Sequence, residues 1–250
     1  GLSGSLLDDV VVEPHALFKH DRHYALSFIS SFNSEDIDPT NPLWSSKRHF
    51  LNLVNCPMLA TLKSKYDFKH LHIMRNQKTV VRADLTMSSG RLVVDQFFNA
   101  WLANMQHLPT CRNKKVKILQ IASPKHGFSD QKDPLISLIN LASMRDLERV
   151  LPQKEIHPLR FRGNIYVDHW PAWYEGSLIG KKLKIGDVEA VVCEPIERCQ
   201  ATNVNPDNGE VDLNIPLSLK KGFDHINCGV FLRIEKAGQL KQNMPIQIID

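Results

Sequence analysis

Cys199 is the residue with the most chemical potential in this chain. It follows Glu194-Pro195-Ile196-Glu197-Arg198 and precedes a turn-rich stretch. An adjacent arginine favours the thiolate, the form that ligates soft metals or attacks electrophiles. The plainer reading is a small buried hydrophobe, as most free cysteines are. Two arginine settings are also unusual. Asp21-Arg22 interrupts a strand-like region, and Arg160-Phe161-Arg162-Gly163-Asn164 leads into apolar Ile165-Tyr166-Val167. On a strand, Arg160 and Arg162 would face one side and Phe161 the other. Guanidinium forks converging on one cleft would hold a polyanion; singly, each reads as a surface ion pair. The eleven histidines include His20 with His23 and His70 with His72. Neither pair has a Cys or carboxylate partner at zinc spacing, so they read as structural or solvent-facing, His225 included. There is no nucleophile elbow, P-loop or dinucleotide fingerprint, and Gly1-Leu2-Ser3-Gly4 does not fit a nucleotide loop.

The scaffold that must position these residues is a chain of 250 residues, 42% hydrophobic, 8% aromatic and 23% charged. That composition excludes wholesale disorder, collagen and a coiled-coil rod. The net charge of +4, from 31 basic and 27 acidic residues, is milder than a dedicated nucleic-acid binder carries, so no nucleic-acid partner is expected. Five cysteines without CxxC spacing imply reduced thiols and a cytoplasmic location. No stretch approaches the roughly 20 apolar residues of a membrane span. Gly1-Leu2-Ser3-Gly4-Ser5 lacks the features of a secretion signal. Without an initiating Met, the chain reads as trimmed or late-starting.

Short strands mixed with a few helices are expected. Val10 to Glu13 and Tyr24 to Ile29 read as strands. Pro57 to Tyr66 reads as a helix opened by proline. His70 to Met74 and Thr79 to Leu85 read as paired strands. Ser88-Ser89-Gly90 is a break before a helix over Arg91 to Met105, with Val93, Phe97, Ala100 and Trp101 on its apolar face. The polar segment 106–114 marks a domain boundary. Beyond it come a strand over Lys115 to Ile121, an apolar run from Leu135 to Leu141, and Ser143 as helix N-cap with Asp146 three residues on. Leu183 to Ile185 and Val188 to Val192 form a hairpin about Gly186-Asp187. Asn205-Pro206-Asp207-Asn208-Gly209 is a turn, Pro216 opens a short helix through Lys221, and strands close the chain. The fold class is α+β, in two strand-rich domains of closed or nearly closed barrel type.

Six motifs, taken in order, carry a resemblance to a known family. They are Asp21-Arg22, Asn140-Leu141-Ala142-Ser143, Arg160-Phe161-Arg162-Gly163-Asn164, Ile185-Gly186-Asp187, Glu194-Pro195-Ile196-Glu197-Arg198-Cys199 and Asn205-Pro206-Asp207-Asn208-Gly209. The chain resembles MOSC-domain proteins of the branch with an N-terminal MOSC-associated β-barrel, which includes the amidoxime-reducing components. The resemblance implies such a barrel over residues 1–114 and a MOSC barrel with short helices over 115–250. It implies a molybdenum pyranopterin cofactor held between them, with Cys199 as the metal's protein ligand. Arg22, Asn140, Ser143, Arg162, Asn164, Arg198 and Thr202 would contact the cofactor. Asp207 would be a proton donor or merely a turn residue. Pyridoxal phosphate binding is a further property attached to the family.

The activity implied is two-electron reduction of N-hydroxylated substrates such as amidoximes, hydroxylamines and N-hydroxylated bases. No ferredoxin-like cysteine cluster follows Asp250, so electrons are expected from a separate ferredoxin- or cytochrome b5-type protein. The chain departs from the pattern at Glu197, where amidoxime reducers usually carry Ser. It departs again at Asn205 and Asn208 of the turn. It also begins just after the position of a cofactor-contacting lysine. Two other readings remain open: a carrier that holds the cofactor without turnover, and a sulfur-transfer protein with a persulfide on Cys199.

Overall fold

A computed structural model of the chain describes residues 7–33, 37–151 and 155–249. The readings made on Gly1 to Ser5 lie outside the described residues. Contacts divide the chain into two compact units. The first comprises His20–Lys132 with Asp207–Glu210; the second comprises Leu7–Lys19, Asp133–Pro206 and the residues from Val211 onward. The architecture is α+β and strand-rich, as expected. No helix of the described residues is long and apolar enough to cross a membrane.

The first strand, β1 (Asp9–Val12), belongs to the second unit. In the first unit, β2 (Tyr24–Phe28) pairs with a later strand, and β3 (Lys63–Tyr66), β4 (His70–Arg75) and β5 (Lys78–Asp84) form an antiparallel sheet. Asn76 and Gln77 both take positive φ, at 50° and 63°, as a tight hairpin requires. The expected helix over Pro57 to Tyr66 is instead a 3-10 turn, Pro57–Thr61, followed by β3. Proline does open a helical turn, but pairing of Lys63 to Tyr66 with β4 overrides local propensity.

Helix α1 (Ser88–Ala103) begins three residues before the expected start, so Ser88-Ser89-Gly90 is its first turn rather than a break. Its buried stripe is Val94, Phe98, Trp101 and Leu102, while Val93 is exposed and Phe97 half-buried. The apolar face is therefore rotated from the one predicted. The reason is polar. Asp95 Oδ1 accepts from Ile118 N (2.6 Å), and Asn99 both accepts from Val116 N and donates to Val116 O (2.9 Å each). These side chains bond the edge of β6 (Val116–Gln120), whose other edge pairs with β2. Burial raises the Asp95 pKa above the ordinary carboxylate value.

The second unit is built on one six-stranded sheet. Its members are β7 (Ile136–Asn140), β8 (Ile165–Val167), β9 (Lys182–Ile185), β10 (Val188–Glu197), β11 (Asn227–Lys236) and, after β12 (Gly238–Lys241), β13 (Ile246–Ile249). The order is β13-β9-β10-β11-β7-β8, with only the β7–β8 pair parallel. Strand β12 pairs with β1 instead, and so ties residues 9–12 to this unit. All five residues of β7 are buried, which accounts for the continuous apolar run there. Three helices accompany the sheet: α2 (Leu141–Glu148), α3 (Tyr174–Ser177) and α4 (Ile215–Phe223). One apolar cluster, with Leu138, Leu183, Val192 and Leu232, packs on β1 and β12; another, with Ile139, Leu147, Ile196 and Leu219, packs under α2 and α4.

Gly90 shows how tightly α1 enters the first unit. A Cβ there would overlap the backbone carbonyl of Asp84 at the end of β5. Gly90→Ala is expected to destabilise the protein by about 1–3 kcal/mol or more, despite alanine's better helix propensity. A urea midpoint at or above the wild-type value would disprove this close approach.

Candidate functional site

Strand β10 alternates as it approaches Cys199. Ile196 and Arg198 are buried, Glu197 is exposed and Cys199 is half-exposed. Glu197 and Cys199 therefore lie on one face, with Arg198 on the other. Cys199 has extended backbone (φ −108°, ψ 176°) at the N-cap of the 3-10 turn Gln200–Asn203. Its carbonyl accepts from Thr202 N (3.1 Å) and Thr202 Oγ1 (2.8 Å). Thr202 is buried, and its hydroxyl supports the loop that presents the thiol.

Behind the cysteine, Arg198 Nε donates to Cys228 O (2.7 Å) and Nη1 to Phe161 O (3.2 Å), while Nη2 also reaches Cys228 O. The guanidinium lies 5.2 Å from the Phe161 ring centroid. Gly229, at φ 85°, allows this. A Cβ there would meet Leu138 O at 2.5 Å and Arg198 Nη2 at 3.1 Å.

The segment expected to be a strand through Arg160 and Arg162 is not one. Pro158–Arg160 is a 3-10 turn and Arg162 takes φ 52°, because His157 caps the turn by accepting from Leu159 N at 3.1 Å. The two arginines consequently do different things. Arg160 is buried: Nη1 donates to Asn203 O (3.0 Å) and Nη2 to Asp212 Oδ1 (2.7 Å). Arg162 is half-buried. Asn164 is pinned to β7, its Oδ1 accepting from Ser137 N (3.0 Å) and Ser137 Oγ (2.8 Å).

Asn140 and Ser143 lie in a second polar cluster. Asn140, not Ser143, caps α2: its Oδ1 accepts from Ala142 N (3.0 Å). Asn140 Nδ2 donates to Pro171 O and to Glu175 Oε2, both at 2.8 Å. Ser143 Oγ donates to Glu175 Oε2 (2.8 Å) and accepts from Trp173 N (2.8 Å). Sitting one turn inside α2, it is too far in to cap. Sequence reasoning missed Glu175, Asp212 and Cys228. No local pattern marks any of them, since each is defined by a partner far away in the chain.

Arg22 and Asp207 belong to the first unit. Arg22 takes φ 51° and pairs with Asp21. Asp207 lies in the expected turn, its side chain 72% exposed and 3.4 Å from Lys63 Nζ. Among the described residues, no three His, Cys, Asp or Glu side chains gather into a metal site.

The thiols differ sharply. Burial pushes the Cys228 thiol up to about 12, against a smaller opposing pull from Arg198. Burial and then a hydrogen bond from Cys111 raise Cys56. Burial also raises half-buried Cys193. At pH 8 a thiol titrating near 12 is ionised in only about one molecule in ten thousand. Iodoacetamide at pH 8 is therefore expected to label Cys199 first, and Cys56, Cys111 and Cys228 only after unfolding. Peptide mapping by mass spectrometry checks the order; early labelling of Cys228 would contradict it. The Arg160–Asp212 pair gives a second test. Its side chains are only 3% and 13% exposed, so Asp212→Ala is expected to cost about 3–5 kcal/mol by stranding a buried cation. A loss under about 1 kcal/mol in denaturant titration would mark the pair as peripheral.

Comparison with known proteins places this geometry in context. The MOSC domain pattern matches residues 123–247, half of the chain. Mitochondrial amidoxime reducing component 2 of Rattus norvegicus is 32% identical over 123 residues, covering 44% of this chain and 36% of that protein. Molybdenum cofactor sulfurase of Caenorhabditis briggsae is 29% identical over 136 residues, covering 53% and 18%. Mitochondrial amidoxime-reducing component 1 of Homo sapiens is 25% identical over 145 residues, covering 53% and 42%. The matches thus span less than half the length of each of these relatives. Among solved structures, YiiM from Geobacillus stearothermophilus superposes with a TM-score of 0.37 at 13% identity, over 46% of this chain and 54% of that one.

Proposed function

The chain belongs to the MOSC-domain family, and from that premise we propose that it is a molybdenum-cofactor-dependent reductase of N-hydroxylated compounds. The observation that carries the reading is the half-exposed thiol of Cys199, held at the end of β10 in front of a buried guanidinium. The similarity to amidoxime reducing components and molybdenum cofactor sulfurases supports it. Molybdenum pyranopterin, when bound, supplies a two-electron centre with soft dithiolene sulfur donors.

The residues present fit that group in part. Cys199 offers the one soft donor such a centre needs from protein. A metal held there would take its remaining ligands from the organic cofactor, since no multi-residue metal cluster is found among the described residues. Arg162 is the arginine we assign to the cofactor's anionic end; it holds left-handed backbone, a strain of about 1–3 kcal/mol. Arg198 contributes differently. Its guanidinium serves backbone carbonyls, so it acts on the cofactor by positioning Cys199 and by its charge. Thr202 fixes the loop at Cys199 and Asn164 the segment after Arg162, while Asn140 and Ser143 hold the Pro171–Glu175 segment.

Glu197 lies on the face of Cys199 and is exposed. It is the acid best placed to exchange a proton with solvent there. Asp207 serves mainly as a turn residue paired with Lys63. A separate ferredoxin- or cytochrome b5-type donor would deliver electrons, and the substrate would be a small N-hydroxylated molecule. Pyridoxal phosphate has no part in the proposal.

Protein from a cofactor-producing host is expected to carry near-stoichiometric molybdenum and pterin and to reduce benzamidoxime with an artificial electron donor. Cys199→Ala is expected to lose the metal and the activity together. Cofactor retained without N-reduction would favour a carrier. A metal-free protein with a persulfide on Cys199 would favour sulfur transfer.

A further inference from the structure

The sheet of β3, β4 and β5 in the first unit buries Leu71, Ile73, Val81 and Ala83. Strand alternation puts Lys65, His72 and Arg82 on the other face. They are in register: Lys65 lies opposite His72, and His72 opposite Arg82. The three make one row straight across the sheet, roughly 10 Å from first strand to third. Lys65 and Arg82 are exposed, and His72 is half-buried.

The nearby acids are engaged elsewhere. Asp67 Oδ1 accepts from Lys69 N (3.1 Å) and His70 N (2.6 Å), and its Oδ2 lies 3.3 Å from His70 Nδ1. Asp84 Oδ1 accepts from Thr86 N (2.9 Å), and its Oδ2 lies 3.5 Å from Lys69 Nζ. At the other end of β3, Asp207 lies 3.4 Å from Lys63 Nζ. Among the described residues, Lys65 and Arg82 make no ion pair. His72 stands between them and cannot compensate, because imidazole is either neutral or cationic. Carboxylates laid across the row would meet two cations that the fold itself leaves unanswered.

The pattern of charge selects the kind of anion. Cations occupy the centre of the face, and Asp67, Asp84 and Asp207 stand at its two ends. A nucleic-acid backbone or an anionic bilayer is negative throughout and would meet those carboxylates as well. A short acidic segment of a protein, flanked by ordinary residues, meets the cations alone. Phe68 adds an apolar anchor. It lies in the turn between β3 and β4, 57% exposed, with its ring 4.9 Å from that of His20 by centroid. Aromatic and arginine side chains are the residues that anchor protein interfaces most strongly.

We infer that the solvent face of β3–β5 docks an acidic peptide segment of a partner protein, with its carboxylates on Lys65 and Arg82. The inference stands apart from the proposed reductase activity and is tested on the full chain by binding alone.

The probe is fluorescein-labelled decaglutamate. Binding is followed by fluorescence anisotropy and by NMR of the Met74 methyl group, which lies on the same face as the row, opposite Lys63. At low salt the peptide is expected to bind saturably and to shift Met74. Lys65→Glu/Arg82→Glu is expected to weaken it at least about tenfold. Lys181 and Lys221 are exposed lysines of the second unit. Lys181→Glu/Lys221→Glu changes the net charge equally and is expected to weaken the peptide less than about threefold. Where the charge-reversed sheet fails to fold, Lys65→Gln/Arg82→Gln against Lys181→Gln/Lys221→Gln carries the same comparison. Equal losses in the two double variants would mean that the peptide follows net charge, and would overturn the inference. So would an absence of saturable binding. So would tighter binding of phosphatidylserine vesicles or of oligothymidylate, lost in Lys65→Glu/Arg82→Glu, which would assign the face to a membrane or a nucleic acid. Molybdenum content and N-reduction bear on the proposed function and not on this face.

Discussion

Arg198 sits on the buried side of β10, one residue before Cys199, and its guanidinium donates to the carbonyls of Cys228 and Phe161. A guanidinium can be buried only where its N–H groups are bonded. That requirement dictates much of the surrounding structure. It brings the start of β11 and the Phe161 turn to the same point. It makes Gly229 necessary, because any side chain there would displace either Leu138 or the guanidinium. It also anchors the end of β10, just past which Cys199 is half-exposed.

The second polar centre works by the opposite device. Around Arg198 one donor-rich group is shared among carbonyls. Around Glu175 one acceptor-rich group gathers donors from α2 and its N-cap. The carboxylate thereby joins the end of β7 to α3, and Ser143 extends the link to Trp173. Burial keeps the Cys228 thiol protonated, against a smaller opposing pull from Arg198. Cys199, by contrast, is half-exposed.

Much of the fold was legible in the sequence where one local rule decided the outcome. The hairpin at Gly186-Asp187, the turn at Asn205 to Gly209 and the helix opened near Pro216 each follow from backbone chemistry. The misreadings came where a distant partner decided. Lys63 to Tyr66 is a strand because β4 lies beside it. Helix α1 turns its Asp95–Asn99 side to β6, which shifts the apolar stripe by about one residue. Ser143 satisfies a simple capping pattern, yet Asn140 is one strand end closer and takes the cap. The site was legible in the same measure. Cys199 and the Arg160–Asn164 segment stand out as residue types in unusual company. Glu175 and Asp212 look like ordinary acids until the fold closes around them.

Arg22 and Arg162 both hold left-handed backbone. A turn that needs positive φ is met most easily by glycine, asparagine or aspartate. Arginine gains nothing at such a position from its backbone. At Arg162 the next residue is Gly163, so a glycine stands one place away from the strained position without relieving it. Arg160, two residues earlier, already meets the structural demand of this segment through Asp212 and Asn203. The two arginines of one short segment thus differ in backbone state, one closing a 3-10 turn and the other holding a left-handed step ahead of β8.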